Sequence, residues 1–225
     1  MVLKEFFDYV RVLFEFKALK NLLKVDAFKD QETEAYLKSR SIDRDMCKFV
    51  GLDIFAFKGV ATYKGKEYNL DKSIIIPLKC NNQLIGVWVR SIFEKKFYIW
   101  MINNHQKFWI PDKLDRSKPA YICESIFDAI SLAKLTNNPN VASTLGVSIT
   151  HDLMENLNDV NILALDNDRA GLKNMEKHLN IWPRWGIISY KSDLKDFNEM
   201  LINEKPLVYE NIYGIRAKVY LRSQL

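Results

Sequence analysis

The sequence predicts an α/β protein in which a parallel sheet flanked by helices follows a smaller α+β region. After Pro119 the chain alternates between short apolar runs and amphipathic stretches, which is typical of a parallel sheet with helices on its faces. Residues 63–109 instead contain closely spaced β-type runs with turn residues between them, which indicates antiparallel hairpins. In open parallel sheets ligands bind at the carboxyl ends of the strands, so the site is expected there.

The N-terminal part, up to about Phe57, is predicted to be helical. Apolar residues between positions 3 and 14 recur at helical spacing, which favours a helix that faces the core; a helix that docks onto a partner is the alternative. Charged residues interrupt this stretch, which excludes a membrane span. Three β-type runs follow, at residues 73–78, 84–90 and 96–100.

Four strand and helix pairs are predicted downstream. The predicted strands are residues 120–123, 140–142, 160–165 and 186–190. The predicted helices are residues 126–135, 150–157, 170–179 and 196–203. These patterns divide the chain into an N-terminal domain at 1–117, an α/β domain at 118–205 and a tail at 206–225 with a short strand at 217–221.

Composition sets the broad class of the protein. The chain has 225 residues, of which 48% are hydrophobic and 27% charged, and this balance excludes wholesale disorder. A net charge of +5 favours a polyanionic partner if the excess lies on one face, whereas a solvated lysine-rich surface is the alternative. Cys47, Cys80 and Cys123 are isolated, so we expect no zinc site, no disulfide framework and a reducing, cytoplasmic environment.

Acidic residues follow two of the predicted strands directly. Glu124 comes after the first strand of the α/β region, and Asp166 and Asp168 come after the third. Residues two apart in an extended chain point the same way about 6.5 to 7 Å apart, so the two aspartates can approach one ion. A hard divalent cation, Mg²⁺ or Mn²⁺, would relieve the repulsion between such carboxylates and bind phosphates. For Asp168, capping of the next helix is the alternative.

At this point the motifs resemble the TOPRIM domain shared by bacterial and phage primases, topoisomerases and certain nucleases. Residues 121–129 resemble its strand-Glu-Gly-x-x-Asp segment, and residues 162–171 its strand-Asp-x-Asp-x-x-Gly segment. Residues 143–146 resemble the primase loop that carries a glycine, here Gly146, and residues 195–199 are similar to the motif Lys-Asp-x-Asp-Glu.

The upstream half narrows the resemblance to the DnaG-type RNA polymerase core of primases. Residues 34–42 resemble its Tyr-Leu-x-x-Arg-Gly-Ile helix, and residues 75–90 resemble its hairpin with proline, glycine and arginine positions. The resemblance spans roughly Thr33 to Leu201. It implies a TOPRIM fold and an enzyme that makes short RNA primers on single-stranded DNA from ribonucleoside triphosphates, in a bacterial cell or phage-infected host.

The resemblance also implies roles for individual acids. Asp166 and Asp168 would hold magnesium with help from Asp196, and Glu124 would bind metal or manage the proton of the attacking 3′-hydroxyl. Two ions about 3.5 to 4 Å apart would serve this chemistry. Asp128 lies one helical turn after Glu124 and can face the same site, with a solvated helix charge as the alternative.

Basic and aromatic residues are expected to bind the substrates. By resemblance, Arg90 and Lys96 would contact the nucleotide triphosphate or the template, with Gly146 in the nucleotide-binding loop; surface charge is the alternative for the two cations. Further residues could line a template groove or stack on bases, although such aromatic residues are more often core. They are Lys64, Lys66, Lys72, Lys79, Trp88, Tyr98, Trp100 and Trp109.

Two departures from the TOPRIM pattern keep other functions open. Ser125 stands where the family has glycine and Asn198 where an aspartate is expected, so a second metal position is expected to be weakened or shared differently. No zinc module precedes the core, which predicts an excised fragment or a compact phage or plasmid primase, with a replicative helicase or a separate zinc-binding module as partner. A metal-dependent TOPRIM nuclease and a non-catalytic nucleic-acid-binding subunit are the alternatives.

Overall fold

The computed structural model describes residues 2–102, 107–146, 148–190 and 194–224. The chain divides into two compact units. The N-terminal unit comprises Met1–Ser39 and Leu52–Gln106, and the C-terminal unit comprises Arg40–Gly51 and Lys107–Leu225. Within the described ranges, no helix combines the length and the apolar character needed to cross a membrane.

The N-terminal unit is built around an antiparallel sheet. Its helices are α1 (Val2–Leu22) and α2 (Gln31–Ser39), with a 3₁₀ turn at Ala27–Lys29. Its strands are β1 (Val25–Asp26), β2 (Phe55–Phe57), β3 (Val60–Tyr63), β4 (Lys66–Asn69), β5 (Ser73–Cys80), β6 (Gln83–Ser91) and β7 (Phe97–Met101). Five of these strands pair in the order β1-β2-β5-β6-β7, and β3 pairs with β4. The predicted hairpins are therefore confirmed.

The turn between β5 and β6 follows from its two asparagines. Asn81 and Asn82 have φ angles of 50° and 62°, the left-handed conformation that asparagine tolerates and that a tight hairpin requires. The turn brings Ile75 and Val89 into register as partners across the two strands, and both are fully buried. Burying each such side chain contributes about 1.5 to 3 kcal/mol, so this hairpin anchors the core of the unit.

Helix α1 faces the core through its C-terminal half. Leu19 and Leu22 are buried and belong to the same core cluster as Ile75. Leu13 and Phe14, which were expected to face the core, have exposed fractions of 48% and 70%. The prediction was wrong for these two residues, because helical spacing of apolar residues does not show which part of a long helix has a sheet beneath it.

The C-terminal unit is an α/β layer structure, which confirms the predicted fold class. Its helices are α3 (Arg44–Val50), α4 (Ile126–Thr136), α5 (His151–Met154), α6 (Arg169–Ile181), α7 (Phe197–Ile202) and α8 (Gly214–Gln224). Its strands are β8 (Tyr121–Cys123), β9 (Val141–Ser143), β10 (Ile162–Leu163), β11 (Gly186–Tyr190) and β12 (Tyr209–Tyr213). They pair in the order β12-β11-β10-β8-β9, all parallel except for β12.

The two edges of this sheet differ. At one edge, β12 pairs antiparallel with β11. At the other edge, Trp109 forms an isolated antiparallel bridge to Ser143 of β9, with two backbone hydrogen bonds of 2.9 Å. Trp109 itself is only 1% exposed. The segment that precedes β8 in the chain therefore packs against β9, the outermost strand at this edge.

The tail differs from its prediction. Residues 217–221, expected to be a strand, lie in α8. Gly214 has a φ of 61° at the end of β12, so the chain turns there, and Ala217 is fully buried as α8 packs against α6. The valine and tyrosine that suggested a strand are outweighed by this packing and by helix-forming neighbours. The predicted domain boundaries at 117 and 205 stay a prediction.

Candidate metal centre

The acidic residues emerge from two neighbouring parallel strands. β8 and β10 are hydrogen-bonded neighbours, with Leu163 opposite Ile122. Continuing this register places Glu124 beside residue 165, one position before Asp166. Asp166 and Asp168 lie close enough to Glu124 for their negative charges to raise the pKa of its carboxyl group. The structure therefore brings Glu124 and the 166–168 segment together at the carboxyl edge of the sheet.

Lys195 is the cation that contacts both aspartates. Its Nζ lies 2.9 Å from Oδ2 of Asp166 and 3.6 Å from Oδ2 of Asp168. The backbone also joins these segments, because the N–H of Asn167 donates to the carbonyl of Lys195 over 2.7 Å. The 195–196 segment is thus held directly beside the 166–168 segment.

The pKa directions show how crowded the carboxylates are. Burial raises the pKa of Glu124, and the negative charges of Asp166 and Asp168 raise it further. Burial also raises the pKa of Asp166, although Lys195 opposes this shift. The pKa of Lys195 rises because Asp166 accepts its hydrogen bond. One lysine does not neutralise this group of acids, and a divalent cation would stabilise it further.

Asp168 and Asp196 also cap helices. Oδ1 of Asp168 accepts the N–H of Gly171 over 2.9 Å at the start of α6, and this bond is the main cause that lowers the pKa of Asp168. Oδ1 of Asp196 accepts the N–H of Glu199 over 2.8 Å at the start of α7. The capping alternative is therefore what the structure shows for Oδ1 of Asp168. Capping uses one oxygen and leaves Oδ2 of Asp168 facing Lys195.

The glycine of the Asp-x-Asp-x-x-Gly segment has a steric role. A Cβ atom added at Gly171 would lie 2.1 Å from the backbone oxygen of Asp166. Such a contact is shorter than any that real side chains make, so only glycine lets α6 begin this close to the end of β10. Gly171 therefore lets α6 start directly beside the backbone of Asp166.

Gly146 lies in the loop that follows β9. Its φ of 75° is the left-handed conformation that favours glycine, and its N–H donates to the carbonyl of Glu124 over 2.8 Å. Apart from its chain neighbours, no atom of the described residues lies within 4 Å of a Cβ built at this position. Gly146 therefore supports the backbone of Glu124 and leaves open space beside it.

Asp128 and Tyr190 are buried groups close to the acidic residues. Burial and the charge of Asp196 raise the pKa of Asp128 to about 7. The hydroxyl of Tyr190 is buried without a hydrogen-bond partner among the described residues; burial raises its pKa, and the charges of Asp166, Asp128 and Asp196 add to the shift. Tyr190 could not be singled out from the sequence, because it is simply the last residue of a predicted strand.

The predicted carboxylates at the strand ends do not cluster tightly. Among the residues that the structure describes, only His151, Asp152 and Glu155 place three metal-ligating atoms within 4.8 Å of one another. His151 and Asp152 start the four-residue helix α5 and Glu155 caps its end, and Nδ1 of His151 lies 3.4 Å from Oε1 of Glu155. Helical spacing alone produces this grouping. The acids at the strand ends are farther apart, with Lys195 in contact with two of them.

The predicted nucleotide contacts lie in the N-terminal unit. Nε of Arg90, at the end of β6, donates to the hydroxyl of Tyr36 over 2.9 Å. Lys96 lies just before β7, with its Nζ 3.6 Å from Oε2 of Glu94 and 59% of its side chain exposed. In the part of the chain that the structure describes, Arg90 has no carboxylate partner, so its charge is available to an anion.

The residues expected to bind the template differ in charge pairing and in exposure. Lys72 pairs with Glu32 over 2.7 Å and Lys64 approaches Glu15 at 4.0 Å, so part of the lysine charge is already neutralised. The three tryptophans offered for base stacking are buried, which fits the core alternative; they are Trp88, Trp100 and Trp109. Among the described residues of the N-terminal unit, the exposed aromatic side chains are instead Phe14, Phe93 and Phe97, at 70%, 66% and 51%.

Comparisons with known proteins give one matching family model and several solved structures of similar fold. Residues 121–201 match the family model described as Toprim-like. No curated protein sequence matches the chain. Among solved structures, the Aquifex aeolicus primase, with its zinc-binding and RNA polymerase domains, is similar at a TM-score of 0.66 and 17% identity. That match covers 89% of this chain and 62% of the Aquifex chain, so the present chain spans less than two thirds of it.

Two further primases have the same fold. The E. coli primase catalytic core matches with a TM-score of 0.59 and 14% identity, over 88% of this chain and 75% of that one. The primase fragment of the bacteriophage T7 primase-helicase protein matches with a TM-score of 0.55 and 20% identity, over 75% and 69%. Residues 121–201 are therefore a Toprim-like domain, within a chain that has the fold of bacterial and phage primase catalytic cores.

Proposed function

We propose that this chain is a primase catalytic core that makes short RNA primers on single-stranded DNA by magnesium- or manganese-dependent nucleotidyl transfer. The observation that carries the proposal is the meeting of Glu124 with the Asp166 segment at the carboxyl edge of β8 and β10, in a chain with the primase fold. Phosphoryl transfer needs charge neutralisation and positioning more than covalent chemistry from the protein.

The residues present fit a divalent ion. The acidic side chains offer carboxylate oxygens, burial and mutual repulsion raise the pKa of Glu124 and Asp166, and Lys195 offsets only part of the negative charge. Asp166 and Asp168 would hold the ion, with help from Asp196. When bound, magnesium supplies neutralising charge to the triphosphate and acidifies the attacking hydroxyl.

Glu124 is suited to accept the proton of the attacking 3′-hydroxyl. Its carboxylate is about half-buried, and its raised pKa makes it a better base than a solvated glutamate. In this assignment Glu124 either takes that proton or binds the metal.

Substrate contacts are proposed by likeness to the relatives. One similar structure, at a TM-score of 0.52, is a T7 assembly whose primase domains are bound to an RNA/DNA hybrid and dTTP. Another is the RNA polymerase domain of the Mycobacterium tuberculosis primase with double-stranded DNA. Ribonucleoside triphosphates would contact Arg90 and Lys96, with Gly146 lining the nucleotide loop. Because the T7 fragment belongs to a primase-helicase protein, a replicative helicase is the partner we propose first, and a separate zinc-binding module the second.

Primer synthesis tests the proposal directly. The purified chain is incubated with single-stranded DNA, labelled ribonucleotides and magnesium, with and without a candidate helicase or zinc module. Labelled RNA that lengthens with time supports a primase. Template that shortens supports a TOPRIM nuclease, and retention of the template without chemistry supports a binding subunit.

Two variants assign the activity to the site. The double variant Asp166→Ala and Asp168→Ala should abolish synthesis. Asp45→Ala is the matched control, because Asp45 has 92% of its side chain exposed on α3 and should keep full activity. Synthesis that survives in the double variant would rule out the assigned carboxylates.

A further inference from the structure

Asp128 is a buried carboxylate whose two oxygens are both hydrogen-bonded. It lies in the first turn of α4, four residues after Glu124, and is only 7% exposed. The hydroxyl of Ser125 donates to Oδ2 over 2.5 Å, and the backbone N–H of Asn198 donates to Oδ1 over 3.2 Å. A carboxylate held on both oxygens inside the protein is poorly placed to exchange them for a metal ion.

Both donors belong to positions at which the chain departs from the TOPRIM pattern, but only Ser125 donates through its side chain, since Asn198 donates through its backbone N–H. Ser125 replaces the family glycine, and a glycine has no hydroxyl to donate. The Ser125 hydroxyl also accepts the N–H of Asp128 over 3.1 Å, so it both caps α4 and holds the carboxylate. The substitution therefore adds a contact that the family pattern would lack.

Asn198 could not be replaced by the expected aspartate without loss. Its Nδ2 donates to the Ser131 hydroxyl over 3.0 Å and to the Arg40 carbonyl over 2.9 Å, and its Oδ1 accepts from Nη1 of Arg40 over 3.4 Å. An aspartate has no amide donor and would bring a second carboxylate into this buried place, only 4% exposed. The amide is thus the side chain that these contacts require.

We infer that Asp128 is a positioning residue that ties α4 to α7, and that it does not ligate the metal. The start of α4 follows Glu124, and the N-cap of α7 is Asp196. Through Ser125 and Asn198, Asp128 therefore fixes how far Glu124 stands from Asp196. The inference rests on the proposed function only in taking these two acids as members of the metal centre.

Direct magnesium binding and primer synthesis, measured on the same variants of the full chain, separate a positioning role from a ligand role. Asp128→Asn keeps an oxygen that accepts from Asn198 and gains an amide that can donate to Ser125. We expect its Kd for Mg²⁺ to change less than about two-fold and its kcat to fall less than about three-fold. Asp166→Asn is the matched control, with a Kd that rises at least about ten-fold.

Asp128→Ala removes both contacts. We expect kcat to fall about ten-fold to 100-fold, the range for losing a residue that orients a metal ligand, with the Kd for Mg²⁺ much less affected. Ser125→Gly, which restores the family residue, should lower kcat in the same direction. A thermal melt of each variant checks that it is folded, and the isosteric Asp128→Asn keeps the test valid if the alanine variant unfolds.

A Kd for Mg²⁺ that rises about ten-fold in Asp128→Asn, as in Asp166→Asn, would overturn the inference. So would an unchanged kcat in Asp128→Ala. Because metal binding needs no primer synthesis, the two ideas fail separately. A chain that binds Mg²⁺ through Asp166, keeps its Kd for Mg²⁺ in Asp128→Asn and makes no RNA contradicts the proposed function, yet supports the part of the inference that Asp128 does not ligate the metal.

Discussion

Lys195 already occupies the space between two carboxylates that the proposed metal would need. Its ammonium group lies 2.9 Å from Asp166 and 3.6 Å from Asp168. A magnesium ion bound to both aspartates must displace this group. Replacing Lys195 with methionine keeps the length of the side chain and removes its charge, so we expect Lys195→Met to bind Mg²⁺ more tightly than the native chain.

The magnitude follows from the exposure of the lysine. At about 3 Å and an effective dielectric of about 20, the bare attraction is about 5 to 6 kcal/mol. Lys195 has 53% of its side chain exposed, so solvent screening reduces the net value of the pair to about 1 kcal/mol. A competitor worth about 1 kcal/mol corresponds to about a five-fold change in Kd. The metal-free variant should be less stable by a similar amount, because the acids lose their counter-charge.

Calorimetric titration of Mg²⁺ into the native chain and the variant measures this directly. Lys38→Met is the matched control: Lys38 pairs with Glu34 over 3.0 Å on α2, and its loss should leave Mg²⁺ affinity unaltered. Equal or weaker Mg²⁺ binding by Lys195→Met would refute the reasoning, since the lysine would then assist the ion.

Three other outcomes are expected. Gly171→Ala should destabilise the fold by more than about 2 kcal/mol in denaturant unfolding, because its Cβ would lie 2.1 Å from a backbone oxygen. The control Asn174→Ala, on the exposed side of α6, should change stability by less than about 0.5 kcal/mol. Without metal, stability should fall as the pH rises from about 4 to about 7, because the folded chain keeps a proton on Asp128, whose pKa is raised from 3.8 to about 7, while the unfolded chain releases it. Asp128→Asn should flatten that slope, and an equal slope in the variant would contradict the assignment. Tyr36→Phe removes the acceptor of the Arg90 hydrogen bond. It should raise the half-saturating triphosphate concentration about five-fold in primer synthesis, with kcat much less changed. An unchanged half-saturating concentration would show that Arg90 does not need the Tyr36 hydroxyl to bind the triphosphate.

The part of the fold that the sequence predicts best is the parallel sheet. Its strands are buried on both faces, so they read as apolar runs, and each run ends where the structure ends the strand to within a few residues. The placement of Glu124 near Asp166 followed from the same logic, since neighbouring parallel strands end at one edge.

The contacts around the site could not be predicted in the same way. Asn198 meets Asp128 across 70 residues of sequence and Arg40 across 158, and such distant pairs leave no periodic pattern. The Lys195 contacts depend on where a loop returns, which local sequence does not fix. For α8, tertiary packing overrode the strand preference of its residues.

The bridge between Trp109 and Ser143 has a practical consequence for anyone who isolates the Toprim-like domain. β9 is the outermost strand at its side of the sheet, and Trp109 takes up the N–H and C=O of Ser143. A fragment that began at residue 118 would leave those groups exposed beside an apolar strand, a ready template for strand addition by another molecule. Such a fragment should self-associate, whereas one that begins before Trp109 would carry its own cover.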